Sequence, residues 1–154
     1  MSDPTLKTRV RHEMNAALKS GEKVRLGALR LFLAAITNRE KELLRELSDD
    51  EVREVAAKEV KKHTESIEAF DGAGRTELAQ KERTERDVIV PYAPERLSDE
   101  AVDALVDEAI AATGATSAKE IGKVMGAAMS RAKGRVDGAV VQQKVRARLG
   151  EEPG

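Results

Sequence analysis

The chain has no cysteine, no tryptophan, and only two phenylalanines and one tyrosine in 154 residues. Without cysteine there are no disulfide frameworks, thiolate zinc sites, iron–sulfur clusters or thiol nucleophiles. Phe32, Phe70 and Tyr92 are the whole aromatic complement, and both phenylalanines fall on apolar helical faces, which argues against a ring platform for stacking bases. No run approaches the ~18 apolar residues of a membrane span, and MSDPTLKTRVRHE lacks the apolar stretch of a secretion signal. A cytoplasmic location with no membrane partner is therefore expected. Catalytic fingerprints are missing too. DGAGRTE opens like GxGxxG but has Glu77 at the third glycine, and no GxxxxGK[ST] occurs. His12-Glu13 opens HExxH, yet Ala16 occupies the second histidine position, and His63-Thr64-Glu65 has no PCxxC to complete a deaminase zinc site. The expectation is no catalytic residue, no cofactor and no metal, with His63 a core or boundary histidine.

What is present is charge and helical periodicity. Charged residues make up 36% of the chain and hydrophobic residues 40%, with a net charge of -1. That is enough for a core, and any polyanion site must be a local patch. Leu26, Leu29, Leu33, Ile36, Leu43 and Leu47 recur as one stripe of a long helix. Ser48 with Glu51 is a capping box opening a second helix, whose face carries Val52, Ala56, Val60, His63, Ile67 and Phe70 and which stops at Asp71-Gly72 with Gly74. These two are expected to pack as an antiparallel hairpin. Shorter helices, about 6–19 and 75–90, would cover it. Pro91 and Pro94 in VPYAPERLS predict an extended break and a domain boundary. The predicted fold is all-α: a four-helix domain over 1–94, a small three-helix domain over 95–150, and a frayed tail at 151–154. Helices are expected over 99–113, about 118–133 and 138–149, with Ser117 and Glu120 as a capping box, Gly114 as a stop and Asp137 as an N-cap.

Charge separates sharply in the second part. Residues 98 to 114 hold five acids and no base, whereas residues 115 to 149 hold eight bases and two acids, a local balance of +6. This is either a basic face on a neutral protein or a set of helix faces that pair with the acidic helix. Gly122 and Gly126 lie four apart on one helical face and cost ~1 kcal/mol each relative to alanine, so they mark a surface that something approaches closely. The leading reading is a neighbouring helix of the same domain, and an external backbone is the other. Lys133-Gly134-Arg135 reads as a phosphate-binding turn, helped by Arg131 and the next helix's N-terminus, or as a plain glycine C-cap. Glu82, Glu85 and Asp87, interleaved with Lys81, Arg83 and Arg86, read as a solvated face. Arg75, just after a glycine turn, reads as an ion-pairing structural residue, with a functional contact as the alternative.

The order of RLGALRLFLAAITNRE, SIEAFDGAGRTEL, PYAPERLS, GATSAKEIGKVMGAAM and KGRVDGAVVQQKV resembles the GatB/YqeY family across essentially the whole chain. The matching positions are Arg75, Leu78, Glu82, Glu85, Tyr92, Pro94, Gly122, Lys123, Val124, Gly126, Gly134, Asp137 and Gly138. Ala93 stands where the family pattern has leucine, and His63 is no family signature. The resemblance implies a two-part helical protein similar to the tail module of the B subunit of tRNA-dependent amidotransferases, where the tail helps hold the tRNA body. The family label is carbon-nitrogen ligase with glutamine as amido-N donor, but that chemistry sits in a catalytic cradle with no counterpart here.

Three functions compete. The first is a tRNA-binding accessory protein that docks structured RNA by phosphates and shape, through Lys123, Arg131, Lys133, Gly134, Arg135, Lys144 and Arg148, with Gly122 and Gly126 as close-approach positions. The second is a non-catalytic component of a glutamine-dependent amido-ligase, partnered by amidotransferase subunits. The third is a helical protein–protein adaptor. The basic segment favours the first.

Overall fold

The computed structural model describes residues 5–150. Among them are seven α-helices, two single turns of 3-10 helix and no strand. The expected frayed tail lies outside the described residues. The chain divides between Pro94 and Glu95 into two compact units.

The first unit holds α1 (Leu6–Ser20), α2 (Lys23–Leu43), α3 (Asp49–Gly72) and α4 (Thr76–Ile89). Local chemistry sets most of these boundaries. Gly21 ends α1 at φ 76°, a left-handed conformation that costs glycine little. Ser48 opens α3 through both halves of its capping box: its hydroxyl accepts from Glu51 N–H at 3.2 Å, and the Glu51 carboxylate accepts from Ser48 N–H at 3.0 Å. Leu29, Phe32 and Ile36 of α2 bury completely against Val10, Val52, Ala56 and Ile89. Each such side chain contributes roughly 1.5–3 kcal/mol by leaving water. Tyr92 closes this core, its ring centroid 5.3 Å from that of Phe32 in a tilted arrangement.

Two expectations for this unit need correction. The long helix stops at Leu43 instead of running through Leu47, because Leu44 turns left-handed at φ 58°. That conformation costs ~1 kcal/mol in a non-glycine residue. The turn is held by Leu47 N–H donating to the Glu40 carboxylate at 3.0 Å and by a two-pronged Arg45–Glu51 pair at 2.7 and 2.8 Å. Leu47 still reaches the core, from the loop. α2 and α3 do pack on each other, but less extensively than α3 on α4 and α1 on α2. Val90–Tyr92 is a 3-10 turn where an extended chain was expected. Pro91 has no N–H for the α ladder, so the chain tightens, with Ala93 N–H donating to Val90 C=O at 3.0 Å.

The second unit holds α5 (Asp99–Thr113), a 3-10 turn at Ala118–Glu120, α6 (Ile121–Ala132) and α7 (Gly138–Leu149). Its core is mostly of valine and alanine, including Val102, Val106, Ala109, Val124, Ala128, Ala132, Val141 and Val145, with Leu105 beside them. Ser98 caps α5, Gly114 ends it at φ 66°, and Asp137 caps α7 by accepting from Ala139 N–H at 3.0 Å. The predicted helix from 118 begins instead as 3-10, with Glu120 N–H bonded to Ser117 C=O at 3.1 Å. No described helix is long and apolar enough to cross a membrane.

Candidate functional site

The two basic segments of the second unit have opposite surroundings. On α7, Lys144 donates to Asp103 at 2.8 Å and pairs with Asp99 at 2.9 Å. One turn later, Arg148 reaches Asp103 at 2.9 Å and Asp107 at 2.5 Å. Lys144 and Arg148 lie four apart, as do Asp99, Asp103 and Asp107, so both rows face each other in step along the two helices. Hydrogen bonds from Lys144 and then Arg148 hold the Asp103 carboxyl below its usual range, and the Asp103 and Asp99 carboxylates hold Lys144 above its own.

On α6 and its C-terminal turn, Lys123, Arg131 and Lys133 are exposed. Among the described residues, no carboxylate lies within 4 Å of any of the three, nor of exposed Lys119. Glu120 is engaged elsewhere. Its carboxylate accepts from Thr116 N–H at 2.7 Å and Ser117 N–H at 3.4 Å, and those backbone bonds, with a smaller contribution from Lys123, hold it below its ordinary range.

Gly122 and Gly126 do not pack on a helix of their own unit, which overturns the leading expectation for them. Both are exposed, and a methyl group built on either meets no heavy atom within 4 Å. The buried stripe of α6 is Val124, Ala128 and Ala132, and the glycines lie on its other side with Ser130. A bare, small-residue face thus runs beside Lys123.

The KGR turn is built differently from a phosphate nest. Lys133 itself adopts the left-handed conformation at φ 49°, followed by Gly134 at φ 78°. Two of its three amides are committed: Lys133 N–H donates to Met129 C=O at 3.4 Å and Arg135 N–H to Ala132 C=O at 3.0 Å. Arg135 points its Nε–H into Glu95 C=O at 2.7 Å while its own carbonyl accepts from Leu97 N–H at 2.9 Å. Arg135 therefore fastens the 95–97 segment to the end of α6.

The first unit holds a cluster that residue spacing alone did not reveal. His63 of α3 is buried, as expected, with Nδ1 2.6 Å from Glu82 Oε2 and 3.8 Å from Glu85 Oε2, both on α4. Glu85 is only 8% exposed, so the reading of Glu82, Glu85 and Asp87 as one solvated face holds for Asp87 and fails for Glu85. The partners lie 19 and 22 positions from His63, a separation that periodicity within one helix cannot register. Arg75, expected to pair, is exposed at the N-cap of α4 with no carboxylate within 4 Å among the described residues.

The model of the Yqey-like protein family matches residues 7–149. The chain belongs to this YqeY-like family. It is 30% identical over 147 residues, 92% of this chain and 80% of the relative, to a Pyrenophora tritici-repentis protein named Altered inheritance of mitochondria protein 41, mitochondrial. An uncharacterized Schizosaccharomyces pombe protein is 30% identical over 96 residues, 62% of this chain and 78% of that relative. The family match takes in both units of this YqeY-like protein, including every residue of α6, α7 and the His63 cluster.

Proposed function

We propose that this YqeY-like protein docks structured RNA, specifically the body of tRNA, through α6, acting as an accessory resembling the tail of a tRNA-dependent amidotransferase. The observation that carries the reading is the availability of Lys123, Arg131 and Lys133. They are exposed cations with no carboxylate within 4 Å among the described residues, and Gly122 and Gly126 leave the adjoining helix face open to a bulky sugar–phosphate chain. Phosphate contact requires unpaired, solvated cations, because a cation already held by two carboxylates gains little from a third anion. On that ground Lys144 and Arg148 move from the expected contact set to a supporting role, and Arg135 acts by holding the turn. Recognition through phosphates and shape also suits a chain whose few rings include Phe32 and Tyr92, both committed to the core.

The test is fluorescence anisotropy of labelled bulk tRNA across a salt series, for the intact protein and for Lys123→Ala/Arg131→Ala/Lys133→Ala. Three phosphate contacts predict a log–log salt slope of roughly -2, falling toward zero in the variant. Absence of binding at low salt overturns the proposal.

A further inference from the structure

We propose that His63, Glu82 and Glu85 form a binding site for a divalent transition-metal ion of the zinc class, separate from the α6 surface. Each offers one ligand atom, an imidazole nitrogen or a carboxylate oxygen, and these atoms all lie within 4.8 Å of one another. Two rigid elements hold them. Glu82 and Glu85 are three apart on α4 and so project from one face, and α4 has its most extensive packing against α3, which supplies His63.

The charge arrangement calls for a cation. His63 and Glu85 are each only 8% exposed. Among the described residues, His63 Nδ1 and Lys81 Nζ each lie 3.8 Å from the Glu85 carboxylate, beyond hydrogen-bond distance. With a neutral imidazole, Lys81, itself largely in solvent, is the one cation within 4 Å of the two carboxylates among the described residues. Buried carboxylates are costly unless paired and hydrogen-bonded, and a dication satisfies both at once.

The distances fit with small adjustments. Metal–ligand bonds of about 2.1 Å put neighbouring donor atoms about 3–3.5 Å apart. The His63–Glu82 separation of 2.6 Å must therefore open slightly and the His63–Glu85 separation of 3.8 Å must close slightly. The short His63–Glu82 contact holds a proton where the ion would sit, so metal entry displaces it. Of the three residues, only Glu85 also lines the open groove of about 530 Å³ between α2 and α4, whose other lining residues include Lys23, Arg30 and Lys81. One nitrogen and two carboxylate oxygens suit zinc, cobalt, manganese or iron(II) in preference to thiophilic ions.

The experiment is titration of chelator-stripped, full-length protein with Co2+, followed by visible absorption, and with Zn2+, followed by calorimetry. The proposal predicts one saturable equivalent of each ion, visible cobalt bands, and a Zn2+-dependent rise in Tm. Glu85→Gln and Glu82→Gln preserve shape and remove only charge. Each should weaken Zn2+ binding roughly tenfold or more with the helical circular dichroism unchanged. His63→Gln should abolish the cobalt bands, and His12→Ala should leave them unaltered. Failure to take up one equivalent of either ion, or uptake unchanged in Glu85→Gln, overturns the site. The outcome is independent of RNA binding, since none of these residues lies in the second unit.

Discussion

Helices α6 and α7 carry the same sign of charge and differ in what faces them. Lys144 and Arg148 of α7 meet Asp99, Asp103 and Asp107 of α5 in a matched ladder, whereas Lys123, Arg131 and Lys133 meet solvent. A tally of bases treats the two helices alike. The difference teaches that the useful quantity for an anion site is the cation left over after intramolecular pairing, and that quantity depends on helix register. The ladder also gives the small second unit a polar seam beside a core that has no aromatic ring.

The strongest way to break the comparison is to remove the α6 cations. Lys123→Ala/Arg131→Ala/Lys133→Ala should lower tRNA affinity about 100-fold at 0.1 M salt, with a flattened salt slope as the check. Next comes releasing the α7 cations. Asp103→Asn/Asp107→Asn frees Arg148 and half of the Lys144 pairing, so tRNA affinity should rise several-fold and the slope steepen by about 1 to 2, read by the same titration. If α7 gains nothing once unmasked, the paired cations lie off the RNA path.

A smaller effect separates stability from docking on α6 itself. Gly126→Ala introduces a methyl group with no neighbour within 4 Å. It should stabilise the protein by about 0.5–1 kcal/mol, measured by denaturant unfolding, while weakening tRNA binding a few-fold. Equal or stronger binding would show that the bare face is not a contact surface. The smallest effect is acid-dependent. Because the folded-state pKa of Asp103 is lowered, its contribution is complete above the ordinary carboxylate range and is lost as pH falls through the lowered value. The Tm difference between the natural protein and Asp103→Asn should therefore shrink as pH falls below the ordinary carboxylate range and through the lowered value.

Much of the helical frame could be read from local chemistry, because caps act over three or four residues. Ser48, Gly114 and Asp137 mark helix ends in the sequence and in the structure alike. Leu44 carries no such mark. It ends α2 in a turn held by Leu47 N–H and the Arg45 guanidinium donating to the Glu40 and Glu51 carboxylates, bonds that span six or seven residues, beyond the reach of a cap pattern. The same limit applies to function. The acidic and basic segments were visible as blocks, but their pairing depends on α5 and α7 lying side by side in register, 41 residues apart in the chain for Lys144–Asp103 and Arg148–Asp107. The glycine spacing on α6 was equally visible, and only the burial of Val124, Ala128 and Ala132 decides that the glycines look outward. His63 was read as buried from its apolar face, yet its carboxylate neighbours come from the next helix.

The most direct test of the central claim sets two variants side by side in one tRNA salt series: Lys123→Ala/Arg131→Ala/Lys133→Ala on α6 and Lys144→Ala/Arg148→Ala on α7. The account predicts that the α6 variant loses both affinity and salt slope while the α7 variant keeps the slope of the natural protein. Equal losses in the two variants, or a larger loss on α7, would contradict it.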